Sequence, residues 1–118
     1  LTGELAFLHD SNALLFQNKL VGNLTIFLIN NQGGGIFEHL PIANQPEFEK
    51  CFATPQDCDF SKLCQAHGIE FIRSQSWDEI IKLIQIPIQS GIRVIEITTD
   101  RKKDKDTRKR LLALDPSI

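Results

Sequence analysis

Leu24-Thr-Ile-Phe-Leu-Ile29 runs directly into Asn30-Asn31-Gln32-Gly33-Gly34-Gly35, so an apolar segment is followed by a polar, glycine-rich one. The apolar segment is rich in β-branched and aromatic side chains, which predicts a strand buried on both of its faces. Strands of this kind belong to parallel sheets whose faces are covered by helices. The polar segment predicts a loop where this strand ends.

The rest of the chain alternates further strands with helices. Two more strands are predicted, at Ile69–Ile72 and Ile92–Thr98. The predicted helices are Ser11–Leu20, Pro46–Phe52, one that begins after Asp59 and ends at Gly68, one that begins after Ser76 and ends near Pro87, and Thr107–Leu114. This alternation predicts an α/β fold with three layers, in which a mainly parallel sheet has helices on both faces.

Two of these helices carry further signals. Asp10 is a predicted N-cap for the first, whose Leu14 and Leu15 are expected to face inward. Ser76 and Glu79 have the spacing of a capping box, and Trp77 between them is expected to pack. The predicted apolar face of this later helix comprises Ile80, Ile81, Leu83 and Ile84.

Composition is that of one ordinary folded domain. The chain has 118 residues, a formal net charge of −2, 42% hydrophobic residues and 24% charged residues. These proportions argue against a disordered chain, a collagen and a coiled coil. No apolar run reaches the roughly 18–20 residues of a membrane span, and no signal peptide is recognisable, so we expect a cytoplasmic protein. The chain begins at Leu1 without Met, and we therefore expect a piece of a longer protein.

The cysteines and one basic run are predicted to have no specific chemical role. Cys51, Cys58 and Cys64 are odd in number and lack the close pairs of a zinc site, which favours reduced, structural thiols. Residues 101–110 hold seven Lys or Arg and two Asp, a local net charge of +5 that leaves −7 elsewhere. No aromatic residue is interleaved there for base stacking, so we expect a solvated helix start and linker, and no nucleic-acid partner.

The glycine-rich loop has the composition of an anion or metal site. Three glycines allow backbone N–H groups to approach an anion, although neither the P-loop nor the dinucleotide-binding pattern is present. Glu4 lies 27 positions before Asn31, and Gly33 follows two residues later. A carboxylate, a carboxamide oxygen and a backbone carbonyl form a hard-oxygen set that suits Mg²⁺.

The pattern Gly-[Asp/Glu]-x26-Asn-x-Gly resembles the magnesium–diphosphate motif of thiamine-diphosphate enzymes. The resemblance implies thiamine diphosphate and Mg²⁺ or Mn²⁺ as cofactors. It places the three metal ligands on Glu4, Asn31 and the Gly33 carbonyl. The implied cofactor-binding residues are Leu5, Ala6, Asn31, Gly33 and Gly34. This chain has Glu4 where the superfamily usually has Asp, and Ala6 where it often has Ser.

Within that superfamily, residues 3–15 and 29–41 resemble the family of 2-succinyl-5-enolpyruvyl-6-hydroxy-3-cyclohexene-1-carboxylate synthases. The resemblance implies decarboxylation of 2-oxoglutarate and addition of the product to isochorismate, in menaquinone or phylloquinone biosynthesis. It also implies a substrate pocket at Ile36, Phe37 and Leu40.

The same resemblance implies that residues 1–118 are an incomplete C-terminal diphosphate- and metal-binding domain of a larger enzyme. The active site of such enzymes lies between domains, usually of two subunits in a homodimer or tetramer. The glutamate that activates the cofactor belongs to another domain, so this chain carries no catalytic residue and is expected to be inactive alone.

Two alternatives remain open from the sequence. Another thiamine-diphosphate enzyme, such as an acetohydroxyacid synthase or a 2-oxoacid decarboxylase, would share the metal motif. A non-enzymatic α/β module could use the glycine loop for some other phosphate. His9 and His39 have no assigned role.

Overall fold

The structure is a computed structural model that describes residues 1–114. The chain divides into two compact units. The first comprises Leu1–Asn30 and Asp57–Thr98, and the second comprises Asn31–Gln56 and the chain from Thr99 onward. The described part of the chain contains no helix long and apolar enough to cross a membrane.

The first unit is built on a four-stranded sheet. Its strands are β1 (Thr2–Gly3), β2 (Asn23–Asn30), β3 (Glu70–Arg73) and β4 (Gly91–Thr98). Their spatial order is β1-β2-β4-β3, and every neighbouring pair is parallel. The three strands predicted from the sequence are confirmed, and so is their parallel arrangement. The short strand β1 was not predicted.

Burial within the sheet differs from the expectation for β2. Gly91–Glu96 of β4 is buried throughout, because β4 lies between two neighbours. In β2 only Leu28 is buried, and Leu24 is exposed, so the prediction that this strand is covered on both faces is wrong. The reason lies in its other neighbour, since β1 pairs only with Leu28 and Ile29 and leaves the start of β2 at an open edge.

One face of the sheet carries the main hydrophobic core. Side chains alternate between the two faces of a strand, so Leu28 of β2 shares this face with Ile92 and Val94 of β4. Helix α1 (Glu4–His9), a 3₁₀ helix (Ser11–Lys19) and helix α2 (Phe60–Ala66) pack here. The core residues that they and the loop after α2 contribute are Phe7, Leu14, Phe60, Cys64 and Ile69.

The opposite face is covered in part by helix α3 (Trp77–Gln85). Arg93 of β4 is buried on this side and donates to the Leu83 carbonyl at 2.8 Å and to the Thr25 hydroxyl at 3.3 Å. Helices therefore lie on both faces of a parallel sheet, which confirms the predicted three-layer α/β architecture. Trp77 is 72% exposed, so the expectation that it packs is wrong.

The segment after Asp10 is a 3₁₀ helix, and this changes which leucine faces the core. With three residues per turn, Leu14 and Gln17 lie on one side of the helix. Leu14 is buried, and Gln17 accepts the Ile92 N–H at 2.6 Å. Leu15 points away and is 67% exposed, contrary to the prediction. The predicted Asp10 cap is also wrong, because its carboxylate contacts His9 and makes no capping hydrogen bond.

The helix-start predictions have mixed outcomes elsewhere in the first unit. Asp59 caps α2 as predicted, because its carboxylate accepts the N–H groups of Ser61 and Lys62. A hydrogen bond from the Ser61 hydroxyl, together with these N–H groups, lowers the pKa of Asp59. Helix α3 begins after Ser76 as predicted, yet the capping box is not formed. Instead Glu79 accepts a hydrogen bond from the hydroxyl of Ser74.

The apolar face predicted for α3 is only partly covered. Ile80 is buried, whereas Ile81 and Ile84 are exposed. Helix α3 and the sheet border an open apolar groove of about 310 Å³, lined by Leu1, Phe27, Ile29, Trp77, Ile80, Ile84 and Ile97.

The second unit consists of short helices and one long one. Two 3₁₀ helices span Gly35–His39 and Pro41–Asn44, a π-helix spans Glu49–Ala53, and α4 spans Arg101–Leu114. The helix predicted at Pro46–Phe52 therefore begins later and has a wider turn. The last helix was predicted to begin at Thr107 but begins at Arg101, because the Asp100 carboxylate accepts the N–H groups of Lys102 and Lys103. The basic run is thus helical and not a linker.

Truncating the two adjacent leucines should separate their roles. We expect Leu14→Ala to lower the free energy of unfolding by about 2–4 kcal/mol, because it removes a buried side chain from the core. Leu15→Ala is the matched control, with an expected change within about 0.5 kcal/mol. Urea denaturation followed by circular dichroism measures both. Equal losses would contradict the facing assigned to this helix.

Cys51 and Cys64 should differ in reactivity. Burial raises the pKa of the Cys64 thiol to about 11, with smaller contributions from Glu96 and Cys58. Cys51 is exposed. We expect an aromatic disulfide reagent at pH 8 to modify Cys51 at once and Cys64 only after unfolding, as read by peptide mass spectrometry. The pKa is raised only in the folded state, so above about pH 9 the unfolded chain loses this proton more readily than the folded chain. The free energy of unfolding should therefore fall as the pH rises above about 9.

Candidate functional site

The glycine-rich segment of the second unit is shaped by close packing. Gln32 and Gly33 have φ angles of 59° and 133°, and the latter is open to glycine and strained for other residues. A Cβ atom on Gly33 would lie 2.4 Å from the Ala53 carbonyl oxygen. One on Gly34 would lie 2.7 Å from the Phe52 carbonyl oxygen. The glycines therefore let this segment lie directly against the π-helix backbone.

Two of the glycine N–H groups are used within the unit. The Gly34 N–H donates to the Ala53 carbonyl at 2.7 Å, and the Gly35 N–H donates to the Gly33 carbonyl at 2.8 Å. The expectation that this loop offers open N–H groups to an anion is thus not met at Gly34 and Gly35. The Gly33 carbonyl, a predicted metal ligand, accepts this hydrogen bond from Gly35.

Asn31 carries an unsatisfied acceptor. Its Oδ1 atom is buried and has no hydrogen-bond partner among the described residues. A buried carbonyl-type oxygen without a partner costs roughly 1–3 kcal/mol, so such atoms ordinarily meet a ligand, an ion or a water molecule. Asn31 lines two cavities of the second unit, of about 190 and 260 Å³. The predicted carboxamide ligand is therefore the residue whose environment most resembles a ligand site.

Arg101, the first residue of α4, holds the second unit together. Its Nε donates to Glu38 at 2.8 Å, one terminal nitrogen donates to the Gln32 carbonyl at 2.6 Å, and the other donates to the Glu49 carboxylate. The Arg101 side chain is 10% exposed and that of Glu38 is 5% exposed. One guanidinium thus connects the glycine segment, the first 3₁₀ helix of the unit and the π-helix.

Two carboxylates, Glu38 and Glu49, offset the charges of Arg101 and its basic neighbours only in part. Burial alone would lower the pKa of Arg101, but the hydrogen bonds that it donates to Glu38 and Glu49 outweigh burial and raise the pKa above its ordinary value. Lys105 and Lys102 add longer ion pairs, at 3.9 Å to Glu38 and 3.7 Å to Glu49. The basic run that the sequence analysis treated as solvated therefore contributes its first residue to a buried ionic cluster.

The predicted substrate-pocket residues do not share one environment. Ile36 is 71% exposed and lines the 260 Å³ cavity. Phe37 packs edge-to-face on Phe52, with ring centroids 5.8 Å apart. Leu40 is exposed. Ile36 and Leu40 thus lie outside the hydrophobic core, as pocket residues would. Phe37 also contributes to the packing of the unit.

The remaining predicted residues belong to the first unit. Glu4 is the first residue of α1 and is buried, and Gly3 precedes it as N-cap. Leu5 is half-buried, and Ala6 is exposed and lines a cavity of about 300 Å³ together with Phe7 and Leu14. That Glu4 meets Asn31 and Gly33 at one metal ion stays a prediction.

Sequence reasoning missed the two residues of the buried ion pair. The sequence analysis gives Glu38 no role and includes Arg101 only as one member of a basic run. The available signal was position, since Arg101 directly follows the capping Asp100 at the start of that run. Helix α1 was also missed, because its six residues are too few to show a hydrophobic period.

The amino-acid sequence of this chain is similar to those of several synthases that share one name. The chain is 55% identical over 119 aligned residues, its full length, to the 2-succinyl-5-enolpyruvyl-6-hydroxy-3-cyclohexene-1-carboxylate synthase of Trichodesmium erythraeum. It is 55% identical over 92% of its length to that of a Synechococcus species, and 50% identical over 96% to that of Rippkaea orientalis. The chain is homologous to one segment of this synthase family.

That segment is a small part of each relative. The chain covers 20%, 18% and 19% of the length of these three synthases. No protein-family model matches the chain. The family resemblance stated from the motifs is thus confirmed for the sequence, and it extends over the whole chain.

Removing the Arg101 side chain should lower the stability of the second unit. We expect Arg101→Ala to lower the free energy of unfolding by about 3 kcal/mol, because it leaves the buried Glu38 carboxylate without its closest cation. Lys102→Ala is the matched control, since Lys102 is exposed and its ion pair with Glu49 is long; we expect a loss below about 1 kcal/mol. Urea titrations compare the two. Similar losses would show that the cluster is not a support of the fold.

Proposed function

We propose that this chain is the metal- and diphosphate-binding part of a 2-succinyl-5-enolpyruvyl-6-hydroxy-3-cyclohexene-1-carboxylate synthase. Such an enzyme would be a transferase that uses thiamine diphosphate and Mg²⁺ or Mn²⁺. It would decarboxylate 2-oxoglutarate and join the remaining four-carbon unit to isochorismate, in menaquinone or phylloquinone biosynthesis. The observation that carries the proposal is identity of 50–55%, over 92–100% of this chain, to three proteins of that name.

The chemistry of the donor set fits a hard metal ion. Asn31 Oδ1 is a buried oxygen acceptor with no hydrogen-bond partner among the described residues, which is the kind of atom that an Mg²⁺ ion would satisfy. The Gly33 carbonyl supplies a backbone oxygen, and Glu4 supplies a buried carboxylate. We assign the metal to these three residues. Glu in place of the usual Asp reaches one methylene further.

Thiamine diphosphate, when bound, supplies the nucleophilic carbon and the electron sink for the loss of CO₂. The residues of this chain hold and enclose the cofactor. We assign the diphosphate to Leu5, Ala6 and Gly34, in addition to Asn31 and Gly33. Ile36, Phe37 and Leu40 offer apolar surface that would exclude water from the reacting atoms.

We also propose which other parts of the enzyme adjoin this chain. The other domains of the synthase and a second subunit would complete the active site, in a homodimer or tetramer in the cytoplasm. The described residues hold no group of three or more His, Cys, Asp or Glu that could bind a metal. The assigned site differs from such a group, because it uses only one carboxylate and relies on amide oxygens.

A hybrid enzyme tests the proposal. The matching segment of the Trichodesmium erythraeum synthase is replaced by these 118 residues, and CO₂ release is measured with thiamine diphosphate, Mg²⁺, 2-oxoglutarate and isochorismate. We expect turnover within about tenfold of the unaltered synthase, because the two segments are 55% identical. We expect none from the 118-residue chain alone.

Substitution of Asn31 in the hybrid tests the metal assignment. Asn31→Ala should weaken Mg²⁺ activation by about 10–100-fold or more, because it removes a ligand oxygen. Asn44→Ala, at an exposed position in the same unit, is the control and should leave Mg²⁺ activation unchanged. A hybrid that folds but is inactive would refute the synthase proposal. A hybrid that is active and indifferent to Asn31→Ala would refute the metal site alone.

A further inference from the structure

The 260 Å³ cavity of the second unit has chemistry that the metal and diphosphate sites do not use. It is lined by Asn31, Gly35, Ile36, His39, Asp104 and Arg108. Asn31 and Gly35 belong to the glycine segment, so the cavity adjoins the residues assigned to the cofactor. His39 and Arg108 have no role in either proposed site.

Arg108 differs from three basic residues at the start of α4. Arg101, Lys102 and Lys105 each make an ion pair with Glu38 or Glu49. Among the described residues no ion pair or hydrogen bond of the Arg108 guanidinium is found, although Asp104 lies one helical turn before it. The Asp104 carboxylate accepts the Thr99 hydroxyl at 2.6 Å. Arg108 is therefore a cation at the cavity whose planar N–H groups are available to a ligand.

The other residues that line the cavity indicate which chemical class of ligand it would bind. Ile36 contributes an apolar side chain, and His39 contributes a ring nitrogen that donates or accepts. The opposite charges of Asp104 and Arg108 in the lining disfavour a phosphate dianion. A planar group with a single negative charge suits the guanidinium, since arginine binds carboxylates through two parallel N–H···O bonds.

We propose that this cavity is a substrate subsite in which Arg108 and His39 bind a carboxylate. The inference rests on the proposed function, in which both 2-oxoglutarate and isochorismate carry carboxylates. Arg108 would contact the substrate directly and set its orientation, and Ile36 would pack against the carbon adjoining the carboxylate. Because either substrate could supply the group, the experiment has a separate arm for each.

The kinetic arm uses the hybrid synthase. Arg108→Gln should raise the KM of one substrate by about 10–100-fold, the effect of losing a charge-assisted hydrogen bond, and leave the KM of the other within about twofold. Arg108→Lys should restore part of the loss. Arg110→Gln is the matched control, because Arg110 lies on the same helix and contacts Thr107; both KM values should stay unchanged. No selective change in KM for Arg108→Gln would overturn the proposal.

The binding arm needs no turnover and no cofactor. The 118-residue chain, labelled with ¹⁵N, is titrated with 2-oxoglutarate and, separately, with isochorismate. The side-chain signals of Arg108 and His39 should shift saturably with the substrate whose KM rises, and the signal of Arg110 should not. Equal shifts at Arg108 and Arg110, or none, would overturn the subsite. An inactive hybrid with selective shifts at Arg108 would refute the synthase function and keep the carboxylate site.

Discussion

Eight consecutive parallel pairs between β2 and β4, from Asn23 opposite Gly91 to Asn30 opposite Thr98, fix the first unit. The alternation of side chains along this one ladder assigns Leu28 and Val94 to the main core and Arg93 to the side of α3. A shift of one residue would exchange these faces and bury the wrong set. The register is thus the constraint from which both helical layers of the sheet follow.

Much of the first unit could be predicted, because its signals are local. Long apolar runs, the Asp59 cap and the stop at Gly68 each act within a few residues, and β2, β4 and α2 were found where they lie. The wrong predictions fall where tertiary contacts, and not the local sequence, determine which side chain is buried or hydrogen-bonded. Leu14 faces the core rather than Leu15, because the segment adopts a 3₁₀ turn and places Gln17 against the Ile92 N–H. Glu79 bonds to Ser74, which no spacing rule indicated.

The candidate site could be predicted in its residue types but not in its arrangement. The spacing of Glu4, Asn31 and Gly33 indicated oxygen ligands, and the buried acceptor of Asn31 agrees with a site. The ion pair of Arg101 with Glu38 joins residues 63 positions apart, and one sequence without an alignment holds no trace of such a pairing. The hydrogen bonds of Gly34 and Gly35 likewise depend on the approach of Ala53 and Gly33, which composition does not encode.

The crowding at the three glycines has a consequence for how sequence motifs are interpreted. A side chain at Gly33, Gly34 or Gly35 would collide with Ala53, with Phe37 and Phe52, or with Asn31, whatever ligand is present. Folding alone therefore favours glycine at Gly33 and Gly34, where a Cβ atom would meet backbone, and favours it less strongly at Gly35, where it would meet side chains. The Gly-Gly-Gly run in this segment thus reflects a close backbone contact, and the information about chemistry resides in the side chain of Asn31.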